Sequence, residues 1–440
     1  MKRYLYNSGV LAALFAGALF SGCDPEIDAP AASSGEADFT NYVAVGNSLT
    51  AGYASGGLYR EGQLNSYPAI LAQQFALAGG GEFTQPLFSE DQENGSGYLK
   101  LTGFDAMGMP VLEQVTDKLA VRGMGADGKT PLYTEYLDEV NNLGVPGIKM
   151  VDVTTPGYGL NNPVGFNPFY ERLIGNELSP AGGLMPYVNK VAATDPTFFT
   201  MWLGNNDVLG FATSGGVAPI SDADRFESNL NAMVNALTPD GETEGAIVNI
   251  PDVTGIPFFT TKATASIIAS ANAANTQLYI TDGNGSVRPA TAADYVLLTS
   301  TVGTPEAVGP ATIPHGFSPY NPLTNSEVLD AAEVTAVKAA TANFNSMLSA
   351  AAQTKGLAYV DMNAFFNSIQ MKEGKPTLTI DAINYSPAFI SGNLFSLDGV
   401  HLTPRGYAIV ANEIIRNINA AYGSRVPTVD ITEYDAVLFP

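Results

Sequence analysis

Four short, mainly apolar runs constrain the fold of this chain more than any other feature: residues 42–45, 198–203, 246–250 and 357–360. Each is too short for a helix and rich in β-branched or aromatic side chains, and so reads as a buried strand. The segments between them carry helix signals. Ser66 is placed to cap a helix with Pro68 in its first turn, Ile70, Leu71, Phe75 and Leu77 on its buried side, and Gly79-Gly80-Gly81 as its stop. A second helix is expected at about 221–237, and a long third from about 326 to 354, closed by Lys355-Gly356. Thr403 as cap and Pro404 at the first helical position open a final helix, with Tyr407, Val410, Ile414 and Ile418 facing inward. Strands alternating with helices predict an α/β fold built on a parallel, doubly wound sheet.

Sheets of that kind place their chemistry just beyond the carboxyl ends of the strands. Ser48 follows the first run in Gly46-Asn47-Ser48-Leu49, and Asn206 follows the second in Gly204-Asn205-Asn206-Asp207. The chain has only two histidines. One, His401, ends the sequence Asp398-Gly399-Val400-His401, just before the final helix. A serine nucleophile needs a base for its proton and a carboxylate to fix the imidazole tautomer, which makes His401 and Asp398 the natural partners of Ser48. The other, in Ile313-Pro314-His315-Gly316, reads as a loop residue.

With Asn142-Leu143-Gly144-Val145-Pro146-Gly147, these motifs place serine, glycine, asparagine and histidine in an order that resembles the SGNH (GDSL-like) hydrolase family. Its four blocks have matches in Ser48, Gly144, Asn206 and His401, spread over most of the chain. The resemblance implies a flavodoxin-like strand order and ester hydrolysis without metal or cofactor. It also implies an oxyanion hole made by the N–H groups of Ser48 and Gly144 and the side-chain amide of Asn206. One residue departs from the pattern: the family usually has aspartate before its serine, and this chain has Asn47.

The hydrolase domain is expected over 39–440, with large insertions at about 82–135 and 255–325. The first insertion shows turn signals and no long period. In the second, Leu278-Tyr279-Ile280 and Tyr295-Val296-Leu297-Leu298 suggest a hairpin arm around Asp282-Gly283-Asn284-Gly285. Phe166, Phe169, Tyr170, Ile256, Phe258 and Phe259 either cap the site, favouring an acyl chain, or pack peripheral segments onto the core. A carbohydrate O-deacetylase, and a non-catalytic lipoprotein binding glycans or lipids, are the alternatives to a lipase-like esterase.

Two further patterns are decoys. Residues 123–130 match the P-loop spacing, but the stretch before them is polar and Pro131 follows at once, so no strand leads in and no helix leads out. Asp282-Gly283-Asn284-Gly285-Ser286 lacks the glycine and glutamate of a calcium loop and reads as a hairpin turn. Two histidines and one cysteine leave no zinc site.

Lys2 and Arg3, an apolar run over 10–20 and Ser21-Gly22-Cys23 have the form of a secretory signal over 1–22. Cys23, the only cysteine, stands where a bacterial lipobox would place its lipidated residue. Residues 23–38, rich in Ala, Ser, Pro and acids, read as a tether. The formal charge of −23 becomes −25 once Lys2 and Arg3 are removed, which argues against nucleic acid as a partner and for a neutral or cationic ester substrate. Asp24, Glu26 and Asp28 resemble a surface-export signal of some Gram-negative lipoproteins, whereas in others Asp after the cysteine retains the protein at the inner membrane; a lipid-anchored protein is expected, with the outer membrane favoured and the leaflet open. Cys23→Ala is expected to release the protein from the membrane fraction; a wild type that is already soluble and unlipidated would refute the anchor.

Overall fold

The four runs are strands of one sheet, and a fifth strand joins them: β1 (Tyr42–Gly46), β2 (Asn142–Gly144), β3 (Phe198–Trp202), β4 (Glu244–Val248) and β5 (Ala358–Val360). This computed structural model describes residues 31–440 apart from 107, 176, 180–181, 370 and 373–374. Cys23, the signal-like segment and the first half of the expected tether, residues 23–30, lie outside the described residues. The strands pair in parallel in the order β5-β4-β3-β1-β2, with Ala44 opposite Asn142 and Tyr42 opposite Phe198. That is the flavodoxin-like order 2-1-3-4-5, whose direction of winding reverses between β1 and β3. The ends of those two strands carry the Ser48 and Asn206 motifs.

Alternation along each strand divides the core between the two faces. Val43, Val45, Phe199, Met201 and Ile247 face one layer. Tyr42, Ala44, Phe198, Trp202, Ala246 and Val248 face the other. The first layer is completed by α4 (Ala223–Leu237) and α5 (Ala331–Lys355), whose Phe226 and Phe344 rings stack with centroids 4.1 Å apart. The second is completed by α2 (Tyr67–Leu77), α6 (Met362–Ser368) and α7 (Pro404–Tyr422). In α7 the Thr403 hydroxyl accepts from Gly406 N–H, Pro404 occupies the first turn, and Gly423 ends the helix in left-handed geometry at φ +61°. Tyr407, Val410, Ile414 and Ile418 are buried as expected. Truncating an isoleucine such as Ile414 to alanine removes about 2–5 kcal/mol.

Several expectations need correction. Leu77 is exposed, because it lies two residues, or about 200° of helix rotation, from buried Phe75. Helix α5 starts at Ala331 rather than 326, since Asp330 and Glu333 form a capping box there and Val328–Leu329 is already committed as strand. The arm strands pair differently: Tyr279–Thr281 turns back onto Val287–Pro289, whereas Tyr295–Val296 pairs with Val328–Leu329. The first insertion is also more regular than expected. It holds two hairpins, Leu99–Phe104 with Pro110–Gln114 and Val121–Met124 with Pro131–Tyr133. The P-loop-like spacing is the turn of the second, tied by Asp127 to Thr130 and Lys129. The expected tether is already docked from Ser33 onward: Ser33 pairs with Arg425, Glu36 N–H reaches the Tyr422 carbonyl, and Ala37 is buried.

The loop after β2 is held to α3 (Asn205–Thr213) by Asp207, which is fully buried and accepts from Met150 and Val151 N–H at 2.7 and 3.3 Å. Burial pushes its carboxyl up to about 6, against the pull of those two N–H groups. A carboxylate raised on folding is at a disadvantage when ionised, so its contribution to stability grows as pH falls through about 6 towards its unfolded value. The wild type should therefore gain on Asp207→Asn between about pH 7 and pH 4, by up to about 3 kcal/mol. Urea denaturation across that range checks it, and a difference independent of pH would contradict the assignment.

Candidate active site

Ser48 is delivered by the end of β1 into the first turn of a four-residue helix, α1 (Ser48–Ala51), capped by Asn47. The Asn47 Oδ1 accepts from Leu49 N–H at 3.1 Å, and Gly52 closes the helix at φ +81°. Gly46, just before, admits no side chain, because a Cβ there would lie 2.0 Å from the Thr50 hydroxyl. The Ser48 side chain is thus presented at the topological switch point by a turn with little freedom.

His401 comes to it from 353 residues away: its Nε2 lies 2.8 Å from Ser48 Oγ. Its Nδ1 lies 2.9 Å from Asp398 Oδ2. Asp398 Oδ1 accepts from the N–H groups of Val400 and His401, both at 2.8 Å, so the Asp-Gly-Val-His turn builds its own carboxylate cradle. Burial alone pushes the Asp398 carboxyl up. The His401 imidazole and the N–H groups of His401 and Val400 outweigh it and hold the group well below the usual carboxylate range. The ionised carboxylate favours the imidazole tautomer with the proton on Nδ1. That leaves Nε2 free to accept from the serine hydroxyl. The Tyr53 ring packs 4.6 Å from the imidazole.

The serine and histidine open into a pocket with largely apolar walls. Leu49 and Trp202 line it from the sheet side, Val253 and Ile256 from the segment after β4, and Phe366, Ile369 and Phe395 from the far side. Its wall also carries the amides of Asn47, Asn205 and Asn206. Among the described residues Asp252 is its one carboxylate, and that group is engaged with Thr254 and Lys338. Of the six residues weighed as a cap, Ile256 lines the pocket. Tyr170, Phe258 and Phe259 are core, and Phe169 stacks on Tyr133.

The expected donors separate here. Asn206 lies on the pocket; one of its amide hydrogens goes to the Ile148 carbonyl at 2.9 Å, and the second has no partner among the described residues. Gly144 does not face the pocket. Its N–H is taken by the Asn142 side chain at 2.9 Å, and its α-carbon packs so closely on α1 that a Cβ would sit 2.3 Å from Ala51 N. The glycine whose N–H has no partner among the described residues is Gly147, exposed, at φ +84°, beside the Ile148 that holds Asn206. Sequence reasoning missed it although it lies in the same block. The Pro146-Gly147 pair, which favours a turn with positive φ at its glycine, is the signal that marks it.

His315 belongs elsewhere. It is buried in the second insertion, between Glu327 and Glu306 at 2.8 and 3.1 Å, and does not line the pocket. Among the described residues no group of three His, Cys, Asp or Glu is placed to hold a metal ion, and no helix is long and apolar enough to cross a membrane.

Residues 42–414 match the family model for GDSL-like lipase/acylhydrolase. No curated protein matches the chain in sequence. Among solved structures, the chain is similar to a mutant of an acetyl-xylooligosaccharide esterase from Geobacillus stearmophilus, at 12% identity and a TM-score of 0.33, over 87% of this chain and 95% of that one. It is likewise similar to an extracellular lipase from Streptomyces rimosus, at 13% identity and a TM-score of 0.31, over 87% of this chain and 99% of that one.

The geometry gives Asn47 a role that aspartate fills equally well, since a carboxylate also accepts from Leu49 N–H. Asn47→Asp should therefore fold normally and change ester turnover by less than about tenfold, under about 1.4 kcal/mol. A loss as large as that of Ser48→Ala would show that the local network requires a neutral amide.

Proposed function

The chain belongs to the GDSL-like lipase/acylhydrolase family and is a carboxylic ester hydrolase, and we propose that it works through Ser48, His401 and Asp398. The observation that carries this reading is the unbroken chain of hydrogen bonds from Asp398 through His401 to Ser48, at 2.9 and 2.8 Å, ending at the pocket. Ser48 Oγ attacks the ester carbonyl while His401 Nε2 takes its proton. The imidazolium that forms is stabilised by Asp398 and then protonates the departing alkoxide, and water hydrolyses the acyl-serine by the same steps. The developing oxyanion is held by the N–H of Ser48, the free amide hydrogen of Asn206 and the N–H of Gly147 in place of Gly144. Each such donor contributes about 3 kcal/mol in comparable sites.

The apolar pocket wall supports a hydrocarbon acyl group in preference to a bare acetyl group, because affinity in such a pocket comes from burying apolar surface. Leu49, Ile256 and Phe366, each partly exposed, offer that surface next to the nucleophile. Lipidation at Cys23 and residence at the outer membrane complete the proposal, supported by the amino-terminal sequence.

The test is a chain-length series of nitrophenyl esters run beside an acetylated polysaccharide. The expected optimum is longer than acetyl, and an enzyme active only on the polysaccharide would transfer the assignment to a deacetylase. Ser48→Ala and His401→Ala should each abolish turnover, with a double variant no worse than either, since the residues act as one unit. Substantial turnover in Ser48→Ala would overturn the nucleophile.

A further inference from the structure

Directly after α1 the chain makes a two-residue turn, in which Ala54 and Gly57 exchange backbone hydrogen bonds at 3.0 Å and Ser55 and Gly56 both have positive φ, +50° and +78°. Positive φ at both central positions defines a type I′ turn, which glycine and asparagine favour. Serine in that conformation costs roughly 1–2 kcal/mol. The strain has a visible return. The Gly56 N–H donates to Asp398 Oδ2 at 2.8 Å. The Ser55 N–H donates to the Ser396 hydroxyl at 2.8 Å, and that hydroxyl in turn donates to Asp398 Oδ1 at 3.2 Å. The Ser55 hydroxyl accepts from Leu397 N–H at 3.4 Å, and its carbonyl accepts from Leu99 N–H at 2.7 Å. The turn is itself fixed from behind: the Tyr53 hydroxyl donates to the Gly56 carbonyl, and the Tyr407 hydroxyl of α7 donates to the Tyr53 carbonyl, both at 2.7 Å.

The loop that follows the nucleophile therefore reaches across some 340 residues of sequence and grips the carboxylate at the far end of the relay. Asp398 would otherwise be oriented only by its own turn, through Val400, His401 and the imidazole. A carboxylate with donors on one side alone can rotate about its Cβ–Cγ bond and carry the imidazole with it. Donors from a second segment remove that freedom. Ser396 is the side chain that links the Ser55 N–H to the carboxylate, and it is 2% exposed.

We propose that Ser396, acting with the Ser55–Gly56 turn, is a positioning residue that fixes the Asp398 carboxylate and through it the His401 imidazole. The inference rests on the functional reading above for its kinetic consequence, but the geometric claim can be read without turnover. The experiment compares wild type with Ser396→Ala and Ser396→Thr by two measurements. The first is kcat and KM on a nitrophenyl ester. The second is the proton NMR resonance of the hydrogen-bonded His401 Nδ1–H, assigned by its loss in His401→Gln. Ser396→Ala should lower kcat about five- to fiftyfold with KM within about twofold, and should shift the Nδ1–H resonance upfield or lose it to faster exchange. Ser396→Thr, which keeps the hydroxyl, should restore both. Should Ser396→Ala fail to fold, Ser396→Cys, with the same shape and a weaker donor, must move both readings in the same direction. Wild-type kcat and an unmoved resonance in the alanine variant would overturn the proposal. So would alanine and threonine variants equally impaired, since that outcome assigns packing rather than the hydrogen bond. An inactive wild type would refute the hydrolase reading; the resonance would still decide this one.

Discussion

The 2.8 Å contact between Ser48 Oγ and His401 Nε2 joins two segments that the fold must bring together from opposite ends of the sequence. Ser48 is fixed by β1, a central strand with partners on both sides, and by a short helix with almost no room to move. His401 is fixed by the turn that leads into α7, a helix packed on the other face of the same sheet against α2. Ser48 and His401 therefore hang from one rigid body, and their separation inherits the precision of the core. Loops supply the reacting groups while the scaffold sets the distance.

Electrostatics and shape act on the same few atoms. Asp398 collects N–H donors from its own turn and from the turn after Ser48, while the His401 imidazole and the N–H groups of His401 and Val400 outweigh burial and hold its carboxyl well below the usual range. Around Ser48 the pocket wall is largely apolar, and its one carboxylate among the described residues, Asp252, is paired with Lys338. A neutral ester with an apolar acyl group meets no electrostatic obstacle at the site, whereas an anionic acyl group would have to be desolvated without a partner.

The sheet was legible in the sequence because its strands are short apolar runs ending in chemically distinctive turns, and α7 was legible because Thr403, Pro404 and its inward stripe agree. Ser48, His401 and Asp398 were legible because the chain offers so few histidines and the motifs fall where strands end. Other features depend on contacts no local pattern carries. Gly144 and Gly147 share one block, but the first is buried against α1 with its N–H taken by the Asn142 side chain, whereas the second is exposed at positive φ. Phe366, Ile369 and Phe395 become a pocket wall only when the 362–395 segment settles against the sheet. The hairpins of the first insertion are mostly exposed, with no alternation strong enough to announce them. Val328 and Leu329 read as helix until their pairing with Tyr295 and Val296 is known.

The central claim is that Ser48 is the nucleophile activated by His401. Labelling with a fluorophosphonate, followed by mass spectrometry of the digested protein, tests it most directly, because the reagent marks only a serine whose proton is being taken. The account predicts one label per chain, on the peptide carrying Ser48, and none in His401→Ala. A label on any other serine, or full esterase activity in a protein that resists labelling, would contradict it.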